Sequence, residues 1–204
     1  MLIALVGPDG AGKTTVARAL ERAAGSRGKR FAYVHWLPSV RRGPPCTVTD
    51  DPAPPPKRAE LEMVRTRDQV ISVVRLSRNL LRFWAGYRLG LVRHVDGLRG
   101  QSVVAVADRW IYNYIGQPHS VAYFGPGSLA RLAVRLAPRP DLTVVLDLPA
   151  EVACRRKGEL TVEAAEQELA HWRSLSTVNP LLSVDATDAP DAIASRILDR
   201  LGEL

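Results

Sequence analysis

Short apolar runs recur along the chain and predict strands. The runs are continuous rather than alternating, and they are rich in valine and leucine. Continuous runs of this kind are typical of strands that are covered on both faces, as in parallel sheets. Five stretches have this character: Leu2–Val6, Phe31–Val34, Val103–Ala107, Leu142–Leu146 and Leu181–Val184.

Stretches with a hydrophobic period near 3.6 residues lie between these runs and predict helices. They cover residues 13–25, 59–98, 128–136, 149–156, 162–176 and 190–202. The sequence leaves open whether the longest of these stretches, 59–98, is interrupted near Gly86–Gly90. Alternating strands and helices predict a doubly wound α/β fold, in which a five-stranded parallel sheet carries helices on both faces. At this length we expect one domain over residues 1–204.

A proline-rich segment separates the second run from the long helical stretch. Residues 37–56 contain glycine and many prolines, so they cannot continue a helix or a central strand. We therefore predict a long surface loop. Loops of this length are commonly either disordered insertions or flaps over a site, and the sequence leaves both open.

A glycine-rich motif follows the first apolar run directly. Residues 7–14 read Gly-Pro-Asp-Gly-Ala-Gly-Lys-Thr and match G-x-x-x-x-G-K-[ST] at each fixed position. The backbone N–H groups of such a loop surround phosphates, its lysine reaches the outer phosphates, and its threonine hydroxyl binds Mg²⁺. The motif predicts an ATP or GTP site. The predicted nucleotide contacts are Gly7, Asp9, Gly10, Ala11, Gly12, Lys13, Thr14 and Thr15.

The third apolar run ends in Asp108-Arg109-Trp110, at the carboxyl edge of the predicted sheet. Ligands of open α/β folds bind at this edge. With Thr14, Asp108 is predicted to serve the metal, and Arg109 is predicted to face the transferring phosphates. An aspartate in this position is also a common helix cap, so the prediction depends on the glycine-rich loop beside it.

The formal net charge of +7 comes almost entirely from arginine, because Lys13, Lys29, Lys57 and Lys157 are the lysines. Guanidinium groups suit phosphate and carboxylate ligands, so the charge fits an anionic small molecule or a nucleic acid. The sequence contains no nucleic-acid recognition motif, which makes a nucleic acid the weaker of these two partners.

Two further features of the sequence, its cysteines and its first residues, bear on where in the cell the protein lies. Cys46 and Cys154 have no CxxC spacing and no histidine neighbours, which indicates neither a disulfide framework nor a zinc site and predicts a reducing cytoplasm. Leu2–Val6 is far shorter than the roughly 20 residues that span a bilayer and lacks a basic segment before it. We expect neither a signal peptide nor a membrane partner.

These motifs resemble the thymidylate kinase family of P-loop nucleoside monophosphate kinases. The resemblance rests on residues 7–15, on Asp108-Arg109-Trp110, on Leu-Asp-Leu-Pro-Ala-Glu-Val at 146–152 and on the basic stretch 155–160. It implies a P-loop kinase fold and the cofactors ATP and Mg²⁺. It also implies transfer of the γ-phosphoryl group to a small anionic acceptor, a nucleotide or a related metabolite. A homodimer is left open.

The resemblance implies roles for single residues. Asp9 would face the acceptor phosphate and Arg109 would contact phosphates. Because Gly10 leaves the loop without a cation of its own, Arg155, Arg156 and Lys157 in a short basic lid at 155–161 would supply it. Trp110 stands where tyrosine is usual, and the lid is shorter than in most bacterial members. The alternatives are a kinase of a nucleoside or other small metabolite, and a nucleotide-binding regulatory module.

The long helical stretch adds acceptor-side candidates. At about 100° per residue, Arg88 lies on the same side as the apolar residues Leu80, Leu81 and Trp84, opposite the other arginines. A guanidinium there needs a partner, either a structural carboxylate or an anionic ligand in the cleft. In thymidylate kinases an arginine four residues after an aromatic binds acceptor phosphate, and Trp84 and Arg88 have that spacing. Trp36 is predicted to line the same pocket, with a core position as the alternative.

Overall fold

A computed structural model describes residues 1–35, 48, 66–92, 102–157, 162–177 and 181–202. The proline-rich loop predicted at 37–56 therefore lies outside the described residues except for Val48, and so does Trp36. The same is true of Cys46, of lid residues 158–161 and of the Arg156 side chain.

The predicted five-stranded parallel sheet is confirmed. Its strands are β1 (Leu2–Val6), β2 (Arg30–His35), β3 (Val103–Asp108), β4 (Leu142–Asp147) and β5 (Leu181–Asp185). All neighbouring pairs are parallel, in the order β2-β3-β1-β4-β5. The central strand β1 therefore has β3 on one side and β4 on the other, and the carboxyl ends of all five strands share one edge.

The helices begin and end close to the predicted positions, except for the long stretch 59–98, whose residues 59–65 and 93–98 lie outside the described residues. They are α1 (Lys13–Ser26), α2 (Thr66–Ala85), α3 (Asn113–Gly116), α4 (Gly127–Leu136), α5 (Ala150–Lys157), α6 (Val162–Arg173) and α7 (Pro190–Gly202). A π-helix at Gly86–Val92 continues α2, and short 3₁₀ helices follow α3 and α6 at Pro118–Val121 and Ser174–Thr177. The sequence pattern missed α3, whose single turn is too short to show a period.

The apolar core lies on both faces of the sheet. Successive strand residues point to opposite faces, so Ile3 and Leu5 pack with α1 and α7, whereas Leu2, Ala4 and Val6 pack with residues of α2 and α4. Because both faces of β1 to β4 are covered, these strands need apolar residues at consecutive positions, whereas Ser183 in the edge strand β5 is exposed. This is the physical reason for the continuous runs in the sequence.

The prediction of which side of the long helix is buried is wrong. The described residues of α2 that are buried are Ser72, Leu76, Asn79 and Phe83, which lie between the arginine side and the predicted side. Leu81 is 70% exposed and Trp84 is 37% exposed. Helical phase orders residues around an axis, but the elements packed against the helix decide which sector is buried.

No helix in the described ranges is both long enough and apolar enough to cross a membrane. Cys154 is a free, half-buried thiol in α5.

Candidate functional site

The glycine-rich loop leaves the central strand β1 and leads into α1. Gly7 has φ 148° and Gly12 has φ 81°, both in the region that favours glycine. A Cβ atom on Gly7 would lie 2.7 Å from the Leu146 carbonyl oxygen of β4. The first glycine is therefore required for the loop to pass close to the neighbouring strand.

The Lys13 ammonium group lies inside this loop. Its Nζ donates hydrogen bonds to the carbonyl oxygens of Gly7 and Pro8, each at 2.9 Å, and lies 3.8 Å from Asp9 Oδ1. Burial lowers the pKa of Lys13, and the carboxylates of Asp108 and Asp9 oppose that shift. An ammonium group has three N–H donors, so one remains after the two loop carbonyls are satisfied.

The first turn of α1 begins at Lys13, immediately after Gly12. No side chain from the described part of the chain caps this end of the helix. The first N–H groups of a helix have no partner within the helix, and they carry the positive end of its dipole. The half-buried Thr14 lies in this turn. The turn is suited to an anion such as a phosphate group.

Arg109 lies beside the loop because of an unusual backbone conformation. Its φ is 68°, a left-handed value that is uncommon for a residue other than glycine. Its N–H donates to the Leu5 carbonyl at 3.2 Å, and its Nη2 lies 2.6 Å from Asp9 Oδ1. The turn after β3 therefore directs one guanidinium group toward the loop after β1 and holds it there by a carboxylate.

Asp108 is the last residue of β3 and is 4% exposed. Burial opposes its ionisation, but the hydrogen bond from His35 and the charges of Lys13 and Arg109 hold the pKa of Asp108 below its usual value. Tyr33 Oη donates to Asp108 Oδ2 at 3.3 Å. Oδ1 is buried and has no hydrogen-bond partner among the described residues.

An ionised, partly unsatisfied carboxylate beside a phosphate-type loop fits Mg²⁺. Mg²⁺ takes oxygen ligands and is commonly held by one or two carboxylates together with substrate phosphates. Within the described residues there is no group of three or more His, Cys, Asp or Glu side chains that could hold a metal by themselves. Asp108 and Thr14 fit a cation that binds together with a nucleotide.

The sequence analysis missed one carboxylate near the loop, Glu168 on α6. Gln117 Nε2 and Trp172 Nε1 both donate to Glu168 Oε1, the latter at 3.4 Å. Burial raises the pKa of Glu168, the Gln117 hydrogen bond opposes that shift, and the charge of Asp9 adds to it. No motif marks this residue, because Gln117, which bonds to it, and Asp9, whose charge acts on it, are both far away in the sequence.

Glu168→Gln is expected to melt at a higher temperature than the parent at pH 7. The raised pKa means that folding favours the protonated carboxyl, so the parent loses stability as pH rises from the usual glutamate value of 4.5 toward the raised one. Glutamine mimics the protonated form at every pH. Melting curves between pH 4 and pH 8 should show a difference that grows with pH.

Glu166→Gln, which changes an exposed residue of the same helix, is the matched control and should show no such trend. A Glu168→Gln protein whose melting temperature falls with rising pH in parallel with the parent would contradict the assignment.

The other predicted residues are placed as follows. Trp110 is fully buried against Phe83, and its Nε1 donates to the Pro138 carbonyl at 3.0 Å, so it belongs to the core. Arg155 lies on the exposed side of α5, near its end. Asp147, at the end of β4, pairs with Arg173 at 2.8 Å.

Arg88 and Trp84 lie on the outer side of the long helix. Arg88 is exposed, with its guanidinium carbon 5.7 Å from the centre of the Trp84 ring. Trp84 Nε1 donates to the Leu136 carbonyl at the end of α4. The expectation that Arg88 is on the buried side is wrong, and its contact with an acceptor stays a prediction from the sequence.

The sheet order and the loop after its central strand define an α/β protein with the P-loop kinase fold. No protein-family model matches the chain. Over 83 residues the chain is 36% identical to a probable thymidylate kinase of Methanothermobacter thermautotrophicus. This similarity covers 41% of the chain and 39% of the length of that relative. It is a partial similarity to a nucleotide kinase.

Proposed function

We propose that the chain is an ATP- and Mg²⁺-dependent kinase of the nucleoside monophosphate kinase type, most similar to thymidylate kinase. It would move the γ-phosphoryl group of ATP to a small anionic acceptor, a nucleotide or a related metabolite, in the cytoplasm. The observation that carries the proposal is the meeting of Lys13, Arg109 and Asp108 at the edge shared by β1 and β3. The partial similarity to the archaeal probable thymidylate kinase supports it.

Two cations and one carboxylate would organise the transfer. Lys13 and Arg109 flank Asp9, at 3.8 Å and 2.6 Å from its Oδ1. During phosphoryl transfer, negative charge develops on the phosphoryl oxygens, and cations held in advance stabilise it without reorganisation. Asp9 keeps the Arg109 guanidinium beside the loop. This arrangement favours positioning and charge neutralisation over covalent catalysis.

Bound Mg²⁺ would neutralise phosphate charge and orient the phosphates. The residues that would hold it are Thr14, through its hydroxyl group, and Asp108, through Oδ1. The backbone N–H groups at the start of α1 would bind phosphate oxygens.

The acceptor would approach on the side of Asp9 and Arg109. Trp36, Trp84 and Arg88 stay in the proposal as acceptor-binding residues on the strength of the family resemblance. The exposed position of Arg88 over the Trp84 ring does not support this acceptor-binding assignment. Asp9 and Arg109 are therefore the stronger acceptor-side candidates.

A screen for acceptor-dependent release of ADP from Mg²⁺-ATP tests the proposal. The acceptors are nucleoside monophosphates, beginning with thymidine monophosphate, followed by nucleosides and phosphorylated metabolites. We expect release with one class of acceptor from the parent and none above background from Lys13→Ala. ATP binding without transfer to any acceptor would instead support a nucleotide-binding regulatory module.

Replacing both lid arginines, Arg155→Ala with Arg156→Ala, is expected to lower kcat by about 10- to 100-fold and to change the KM for ATP much less. Their contribution grows as charge develops in the transition state, so it appears in kcat rather than in ground-state binding. Steady-state kinetics with the acceptor found by the screen measure both constants.

Arg131→Ala with Arg135→Ala removes the same charge from exposed positions of α4 and is the control. An unchanged kcat in a normally folded lid variant would remove the lid arginines from the proposal.

A further inference from the structure

A hydrogen-bonded cluster ties Asp108 to the edge strand β2. The register pairs His35 with Asp108, and Tyr33 lies two residues earlier on the same face of β2. Tyr33 Oη lies 3.3 Å from Asp108 Oδ2, and His35 Nδ1 lies 3.4 Å from the same oxygen. The Tyr33 and His35 rings stack with their centres 6.5 Å apart.

The two oxygens of Asp108 differ in their surroundings. Oδ2 has the Tyr33 hydroxyl and the His35 ring beside it, whereas buried Oδ1 has no hydrogen-bond partner among the described residues. Leaving a buried acceptor unsatisfied is unfavourable, and more so for a charged group. Donors beside one oxygen and none beside the other fix the plane of the carboxylate, with one oxygen at the donors and the other turned away from them.

Tyr33 is suited to this role because it is rigid. Its side chain is 1% exposed, and its Oη lies 3.3 Å from Asp108 Oδ2. An ionised carboxylate has no hydrogen to donate, so the hydroxyl is the donor of this pair. A donor with no freedom to turn toward water holds its acceptor in one place.

We propose that Tyr33 and His35 are positioning residues that hold Asp108 Oδ2 and thereby leave Oδ1 directed to the divalent cation of the bound nucleotide. The proposal rests on the proposed kinase function. Partners that orient a metal ligand commonly contribute about 10- to 100-fold to metal affinity. A cluster that merely ties β2 to β3 would contribute to folding stability and would leave metal affinity unchanged.

Mn²⁺ titrated into the full-length protein with a non-hydrolysable ATP analogue, followed by electron paramagnetic resonance, tests this inference. Tyr33→Phe and His35→Ala are each expected to raise the Mn²⁺ dissociation constant about 10-fold. His35→Asn should recover much of the loss, because its amide N–H can replace Nδ1 as a donor. Tyr123→Phe, which removes a buried hydroxyl bonded to the Pro126 carbonyl, should leave Mn²⁺ affinity unchanged.

Asp108→Asn separates this inference from the proposed function. If Asp108→Asn weakens Mn²⁺ binding but Tyr33→Phe and His35→Ala do not, the positioning role is wrong and the kinase proposal stands. If Asp108→Asn leaves Mn²⁺ binding intact, the assignment of Asp108 to the metal in the proposed function is wrong. The positioning role of Tyr33 and His35 is then wrong as well. If Tyr33→Phe does not fold, the comparison of His35→Ala with His35→Asn tests the positioning role instead, because His35 is half-exposed.

Discussion

Lys13→Ala is expected to lower phosphoryl transfer by on the order of 10³-fold while the protein stays folded. The Lys13 side chain is 7% exposed, and its ammonium group lies within the loop with one N–H donor beyond the two that bond to Gly7 and Pro8. Removing it takes a fixed positive charge from the place where phosphate charge would develop. The Lys13 side chain lies in the loop and outside both apolar core clusters, so stability should change little.

Acceptor-dependent ADP release and thermal melting measure the two effects. Lys29→Ala is the matched control, because Lys29 follows the opposite end of α1 and lies far from the loop. It should keep parental activity. A normally folded Lys13→Ala protein with more than about a tenth of parental activity would rule out the P-loop as the catalytic site.

Gly116→Ala is expected to destabilise the fold by about 3 kcal/mol, at the upper end of typical overpacking costs. A Cβ atom there would lie 2.3 Å from two carbons of the Trp172 ring, and that ring is 1% exposed. A rigid indole enclosed by core cannot move aside at low cost. For a protein of this size the melting temperature should fall by roughly 6–12 °C.

Gly25→Ala is the matched control for this substitution. Gly25 also lies in a helix, but a Cβ atom there meets nothing within 4 Å. Alanine should therefore stabilise α1 by about 0.5–1 kcal/mol. If Gly116→Ala has the same melting temperature as the parent, the packing of α3 against α6 differs from that described.

Much of the fold could be predicted because its signals are local. Both faces of the sheet are covered along most of its strands, so most strands are continuous apolar runs that can be recognised within five or six residues. The loop motif likewise has all its residues within one turn between β1 and α1. Its prediction needed no knowledge of which strands are neighbours.

Part of the candidate site could be predicted for a related reason. The carboxyl ends of parallel strands meet at one edge, so a strand followed by Asp108 and Arg109 was expected to lie near the loop. The structure adds the pairing of Arg109 with Asp9 and the left-handed backbone that permits it. A positive φ at an arginine leaves no sequence signature.

The sequence by itself determined the strands, most of the helices, the glycine-rich loop and the edge of the sheet where the site lies, because each depends on residues that are close together in the chain. Only the tertiary structure decided that Tyr33 meets Asp108, that Glu168 approaches the loop, and that Arg88 lies outside rather than inside. Those outcomes depend on which elements pack together across long sequence separations. A helix can present any sector to the core, and its neighbours, not its own pattern, select the sector.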